Sequence, residues 1–332
     1  MDVLVVFIVL LALLFDFLNG MNDAANAIAT VVSTRVLSPR LAVFWAAFFN
    51  FVAAFGFGVA VANTIGKGIV DPSIVSPQLI LSALLGAIIW THVCTHYGIP
   101  ISVSHALIGG LVGAGVMKAG VAVLNIPSIL KVVAFIFIAP LLGLVFGFLL
   151  MSLTMWVFRG SSPRSVDKLF RIGQLISSAA YSIGHGTNDA QKTMGVIAVL
   201  LYSTGHLGET FYVPVWVIFA AYTAIGLGTF FGGWKVIKTM GLKLTHLRPV
   251  GGFCAETGGA VLLLGTALAG IPVSTTHTIA GAIMGVGATR RMSAVRWGIA
   301  GRIVMAWILT IPVSAAVSAG VYGMLGEVFG TF

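Results

Sequence analysis

Hydrophobic residues come in long runs along this chain. Apolar stretches cover residues 3–34, 41–65, 78–96, 101–120 and 130–157, a basic segment follows at 159–171, and five similar stretches cover 172–203, 212–234, 251–269, 272–289 and 297–324. Runs of about 20 apolar residues match a bilayer core about 30 Å thick, so the pattern predicts membrane helices rather than strands or surface helices. The first run is interrupted at Asn19-Gly20 and the sixth at 184–186, where glycine is expected to unwind the helix. The fold class expected is an all-α integral membrane protein with about ten crossing or hairpin segments and broken helices.

The runs repeat. GMNDAANA at 20–27 returns 166 positions later as GTNDAQKT at 186–193, and GIPISVSH at 98–105 returns after 172 positions as GIPVSTTH at 270–277. Pro140 and Pro312 keep the second offset. Three units are read: an N-terminal transmembrane repeat (1–158), a cytoplasmic basic linker (159–171) and a C-terminal transmembrane repeat (172–332). Five crossings per half is an odd number, so the second half is expected upside down relative to the first. With that topology one side receives thirteen loop Lys and Arg residues, against Lys67, Lys118 and Lys131 on the other. By the positive-inside rule both termini face away from the cytoplasm of a cell (inner) membrane. The stretches 78–120 and 251–289 fit two crossings or one hairpin each. Their uncharged connectors, 97–100 and 269–272, favour hairpin tips held at membrane depth.

Composition agrees. Hydrophobic residues make up 58% and charged residues 8%, with a mean hydropathy of +1.07; a soluble globular chain has about 25% charged residues. No stretch remains for a soluble catalytic lobe. The net charge of +9 is spread over short loops, so nucleic acid is not an expected partner. Cys94 and Cys254 lie apart in apolar runs, without CxxC spacing. The first run lacks a basic leader and a cleavage site, and is expected to be retained.

Candidate chemistry sits in the repeated blocks. Asn22, Asp23 and Asn26, with their counterparts Asn188, Asp189 and Lys192, place ionisable and amide groups inside apolar runs. Aspartate costs about 2.5–3.5 kcal/mol at the centre of a membrane helix, so such a residue points to function. Positions i and i+3 share a helical face, so these groups suit a coupling proton or a hard monovalent cation; an interhelical clamp is the bland alternative. Lys192 can neutralise Asp189 internally, whereas Asp23 has no cation at that spacing. Glu256, Asp16 and His185 are further candidates for the coupling site, although Asp16 could instead snorkel to an interface. At the tips, Pro100 and Pro272 precede Ser102 and Ser104, or Ser274, Thr275 and Thr276, which suits anion binding at two helix N-termini; helix capping is the commoner role for such residues. His105 and His277 close both blocks as scaffold or ligands. His92 and His96 have metal spacing but no third ligand, so no metal site is expected.

These motifs resemble the inorganic phosphate transporter (PiT) family, whose halves each carry a GxNDxxNA-type signature and a PxSxxH segment. The likeness covers essentially the whole chain, and HGTNDAQK is more similar to bacterial low-affinity members, thought to be proton-coupled, than to sodium-coupled ones. The resemblance implies a secondary transporter importing phosphate, free or as a metal–phosphate complex. Ser102, Ser104, Ser274 and Thr275 would surround the phosphate, and Asn22, Asp23, Asn26, Asn188 and Asp189 would serve the cation. Glu256 matches an acidic position of the family. Asn50 stands where animal relatives carry a glutamate, and Lys192 where others carry asparagine, so sodium stoichiometry does not transfer. The expected partners are inorganic phosphate, a coupling proton or sodium ion, membrane lipid and a second copy of the chain as a homodimer; no cofactor and no enzymatic activity are expected. Alternatives are a sulfate permease of the same family, a sodium-coupled phosphate symporter and an anion channel.

Overall fold

The computed structural model describes residues 2–56 and 58–330, and twelve α-helices hold most of them. The first half contributes α1 (Val3–Ser33), α2 (Pro39–Val52), α3 (Ala60–Gly68), α4 (Pro77–Tyr97), α5 (Val103–Ala119) and α6 (Ile126–Val157). The second contributes α7 (Pro163–Ser203), α8 (Val215–Phe231), α9 (Trp234–Lys238), α10 (Pro249–Leu268), α11 (Thr275–Ala288) and α12 (Trp297–Phe329). Among the described residues the only β pairing is a single bridge, Val70 to Leu124. The chain is thus all-α, as its hydrophobic pattern predicts. Five helices, α1, α4, α6, α10 and α12, are long and apolar enough to cross a bilayer; counting α2 with α3 and α8 with α9 as bent spans brings the number to seven. On α6, Phe137, Leu141, Leu149 and Leu153 stay exposed, the face that lipid covers in a membrane protein.

Helix starts follow local chemistry. Proline occupies the first turn of α2, α4, α6, α7 and α10, where its missing N–H costs nothing. Ser76, Asn125 and Ser162 cap α4, α6 and α7 through their side-chain oxygens. Because Ser162 starts α7, the basic stretch 159–171 is a connector only in its first residues and helix from Pro163 onward. The short α3 has no cap of its own. Gln191 of α7 supplies one, its Oε1 accepting from the Val61 and Ala62 amides at 2.9 and 3.3 Å.

The breaks do not fall where the glycines of the aspartate motifs predict them. Both α1 and α7 run unbroken through those motifs. The chain bends instead between α2 and α3, by 85°, and between α8 and α9, by 64°, the latter at Gly232 with φ +66°. The motif glycines serve close packing: a Cβ on Gly20 would lie 2.2 Å from the Ile225 carbonyl oxygen, and one on Gly186 would lie 2.7 Å from that of Asn50. Unwinding is therefore unnecessary there, since small residues let helix backbones approach.

These contacts show how the halves interlock. α1 of the first half packs on α8 and α9 of the second, while α7 packs on α2 and α3 of the first. Likewise α5 lies along α12 and α11 along α6. The turn at 98–102 closes an antiparallel pair, α4 with α5, and the turn at 269–274 closes α10 with α11. Helix α11 has 14 residues, a rise of about 21 Å, too short for a bilayer core of about 30 Å. The first turn of α11 touches the turn before α5, the Thr276 hydroxyl donating to the Ile101 carbonyl at 3.1 Å.

Interlocking predicts a sharp contrast between glycines. Gly113→Ala places a methyl where 2.1 Å separates it from the Ala315 carbonyl oxygen, while at Gly320 nothing lies within 4 Å. The first substitution is expected to destabilise by about 1–3 kcal/mol and to lower the thermal unfolding midpoint in detergent, with Gly320→Ala unchanged or higher. Equal midpoints would show that the helices are not packed this closely.

Candidate functional site

Four helix segments converge at the centre: the middles of α1 and α7, which carry the aspartate motifs, and the N-terminal turns of α5 and α11, which carry the tips. Continuous helix is what aims the motif side chains, because residues three and four apart project from one face. Asp23 and Asp189 are buried, at 2% and 0% exposure, and the Thr275 hydroxyl bridges them, 2.9 Å from Asp189 Oδ2 and 3.3 Å from Asp23 Oδ2. Asn26 donates to Thr275 and Thr276 at 3.3 and 2.9 Å, and the Thr276 hydroxyl lies 3.3 Å from Asp23 Oδ1.

Lys192 reaches the same place. Its Nζ donates to Asp189 Oδ1 at 2.5 Å, to Ser104 Oγ at 2.5 Å and to the Val273 carbonyl at 2.8 Å, three acceptors for the three N–H bonds of an ammonium group. The neutralisation of Asp189 anticipated from spacing is realised as an ion pair. Asp23 has no such lysine. The titratable base beside it is His185, whose Nε2 lies 3.9 Å from Asp23 Oδ2 and 3.3 Å from Asp189 Oδ2. The other ring nitrogen, Nδ1, is 2.9 Å from Asn50 Oδ1, and the Asn50 amide group donates to Thr229 at 2.9 Å. That chain leaves Nδ1 as the donor, so Nε2 faces two carboxylates. A bare lone pair there would repel both, and a proton or cation between the three groups removes the conflict. Ligand-type atoms of Asp23, His185 and Asp189 do lie within 4.8 Å of one another, a cation-sized grouping where no metal site was expected from sequence.

The tip residues divide into two roles. Ser102 and Ser274 are N-caps: each side-chain oxygen accepts from a backbone amide, that of His105 or His277, at 3.3 Å. Ser104, Thr275 and Thr276 turn toward the carboxylates and Lys192. The amides of Val103 and Ser104, and of Thr275 and Thr276, have no hydrogen-bond partner among the described residues, as expected for first-turn donors. Behind them His105 and His277 meet at a ring separation of 4.9 Å, His277 stacks on Trp307, and the Trp307 indole donates to Pro100. The two histidines are scaffold for the tips.

Other candidates lie apart. Glu256 forms its own cluster with Thr30, Gln174 and Ser177, at 2.6, 3.0 and 2.5 Å. Thr30 is seven residues beyond Asp23, roughly 10 Å along α1, so Glu256 does not share the aspartate cluster. Asn22 donates to Thr95 and Asn188 to the carbonyls of Gly184 and Leu263; both amides tie helices together. Asp16 is wholly buried, which excludes snorkelling to an interface. His92 and His96 are exposed on α4. Thr95, Gln174, Ser177 and Tyr181 carry no motif signal, and only the fold brings them to these groups.

The sequence pattern of the phosphate transporter family matches residues 19–318. The chain belongs to the phosphate transporter family. Among its relatives, a protein of Rhizobium meliloti (strain 1021), named "Probable low-affinity inorganic phosphate transporter", is 57% identical over 319 residues, 96% of each chain. One of Bacillus subtilis (strain 168) with the same name is 45% identical over 98% of each chain. The solved structure of a sodium-dependent phosphate transporter superposes with a TM-score of 0.91 at 28% identity, covering 99% of this chain and all of the other. This transporter family is thus the setting in which the carboxylate cluster is to be understood, and its members are multi-pass membrane proteins.

Thr275 is the joint of the cluster. Thr275→Val keeps the shape and removes the hydroxyl that faces both carboxylates, and a hydrogen bond to a charged group is worth about 1.5–3 kcal/mol. A correspondingly lower unfolding midpoint without phosphate is the expected outcome. An unchanged midpoint would place the Thr275 hydroxyl outside the network.

Proposed function

We propose that the chain imports inorganic phosphate by symport with protons across the cell (inner) membrane. The observation that carries this reading is the pair of buried carboxylates at the meeting point of two helix N-termini. Four free tip amides, with the hydroxyls of Ser104, Thr275 and Thr276, suit an oxyanion. Asp23 and Asp189 oppose one, and Lys192 offsets only part of their charge. An anion therefore enters this place only with compensating cations, which is the physical content of symport. Ser102 and Ser274 contribute by holding the tips, and Asn22, Asn26 and Asn188 by fixing the helices around them.

Protons are favoured over sodium by Lys192 and His185. A sodium ion held about 4 Å from the Lys192 ammonium would be repelled by about 4 kcal/mol at an effective dielectric of 20, a weakening of roughly several hundred-fold. A proton can ride on His185 Nε2 or on either aspartate without that penalty. Sodium coupling is the second reading, on the strength of the sodium-dependent structural neighbour. Transport of a metal–phosphate complex fits the same cluster, as the grouping of Asp23, His185 and Asp189 offers cation ligands. In this reading the halves are inverted repeats, the tips are hairpins reaching membrane depth, and both termini face away from the cytoplasm.

The test is uptake of labelled phosphate and sulfate into proteoliposomes with imposed gradients. Phosphate accumulation driven by an inward proton gradient without sodium is expected, with sulfate transported poorly. Lys192→Asn is expected to weaken the response to the proton gradient or to introduce sodium dependence. Uptake by the unaltered protein that needs sodium and ignores the proton gradient would sink proton coupling. Efficient sulfate uptake would move the substrate assignment, and steady current without any gradient dependence would identify a channel.

Orientation has its own measurement. A cysteine at exposed Ser161, between α6 and α7, is expected to react with an impermeant thiol reagent only from the cytoplasmic side, in a background lacking Cys94 and Cys254. Labelling from outside would reverse the topology, since most loop Lys and Arg residues would then lie on the wrong face.

A further inference from the structure

Asp16 lies on α1 at 0% exposure, and neither carboxylate oxygen has a hydrogen-bond partner among the described residues. No lysine, arginine or histidine forms an ion pair with it there. The side chains of Asn19, on the same helix, and Thr193, on α7, stand beside it. Each brings a buried oxygen that is likewise unpartnered: Asn19 Oδ1 and Thr193 Oγ1. Three side chains from two helices thus bring unsatisfied oxygens to one place. The charged groups that act on it from a distance are Asp189 and His185, both on α7. Neither touches it.

Native interiors leave few polar atoms unsatisfied, so a cluster of this kind calls for a bound species. An ionised carboxylate without a partner costs several kcal/mol in a dry interior. A proton resolves the cluster directly. The carboxyl O–H then donates to Asn19 Oδ1, which can only accept, and the remaining carboxyl oxygen accepts from the Thr193 hydroxyl.

We propose that the Asp16 carboxyl, with Asn19 and Thr193, is a second proton-carrying site of this transporter, distinct from the Asp23, His185 and Asp189 cluster. It rests on the reading of the chain as a proton-coupled symporter. The proton arrives from water on one side and leaves to water on the other; no other bond is made or broken. Asn19 stands 166 positions before His185, the offset of the aspartate motifs, so the place that holds a titratable ring on α7 holds on α1 an amide beside Asp16.

Infrared spectroscopy of the reconstituted protein, paired with proton and phosphate flux measurements, tests the site. The unaltered protein is expected to show a protonated-carboxyl band that Asp16→Asn loses, and Asp16→Asn is expected to move fewer protons per phosphate. A band that persists in Asp16→Asn overturns the proposal. So does loss of the band with an unchanged proton-to-phosphate ratio, which would make Asp16 a fixed structural carboxyl. A band that sodium removes from the unaltered protein would assign the site to a metal cation and overturn it as well. If Asp16→Asn does not fold, Thr193→Val carries the test: the band must shift in frequency, and an unmoved band overturns the proposal. Absence of any proton movement with phosphate in the unaltered protein marks failure of proton coupling itself, whereas equal ratios in the two proteins mark failure at Asp16 alone.

Discussion

Two carboxylates that water does not reach, held within one hydroxyl of each other, set the terms for the rest of this structure. Asp23 and Asp189 come from helices that begin the two halves, and Thr275 lies between them. In a low-dielectric interior their repulsion is large, so nearby chemistry must answer it. Lys192 supplies one full charge, His185 offers a site for another, and hydroxyls from the second tip fill the remaining lone pairs. The interlocking of the halves follows from this need: neither half alone brings both aspartates and both tips together. The reciprocal packing of α5 on α12 and α11 on α6 braces the tips from behind, with Trp307 and Pro100 tying one tip to the last helix.

Much of this was legible in the sequence, and for physical reasons. Long apolar runs set the helices because bilayer thickness sets their length. The duplicated aspartate and serine–threonine blocks marked the centre, because polar groups in apolar runs are costly without a use. The ion pair of Lys192 with Asp189 followed from helical spacing alone. Glycine misled, since Gly20 and Gly186 read as breaks in an apolar run. A glycine that unwinds a helix and one that admits a neighbouring backbone look the same until the neighbour is seen. Here the neighbours are the carbonyls of Ile225 and Asn50, each on a helix of the opposite half. Ser102 and Ser274 were equally ambiguous: anion ligand and N-cap demand the same residue at the same turn, and the geometry shows capping.

What lay beyond the sequence was contact across long separations. Thr95, Gln174 and Ser177 sit in stretches without motif, yet they partner Asn22 or Glu256 across 73 to 82 positions. Polar side chains in a membrane protein seek such partners because lipid offers none, but which helix supplies them is a property of packing. Glu256 shows the consequence. Its acidic character in an apolar run placed it with the coupling residues, whereas three donors on α1 and α7 hold it in a separate cluster.

The asymmetry between the halves then acquires a direction. Where the first motif has Asn26, an amide that reaches over to the tip hydroxyls, the second has Lys192, a cation that fixes Asp189. Asp189 is thereby compensated in every step that keeps the lysine in place, and Asp23 is not. In the symport proposed above, the charge that comes and goes with the anion falls to the Asp23 side, where His185 is an adjoining titratable group and Asp16 lies about two helical turns away along α1. The two motifs carry like acids, and a single lysine, paired with Asp189 alone, makes their surroundings differ.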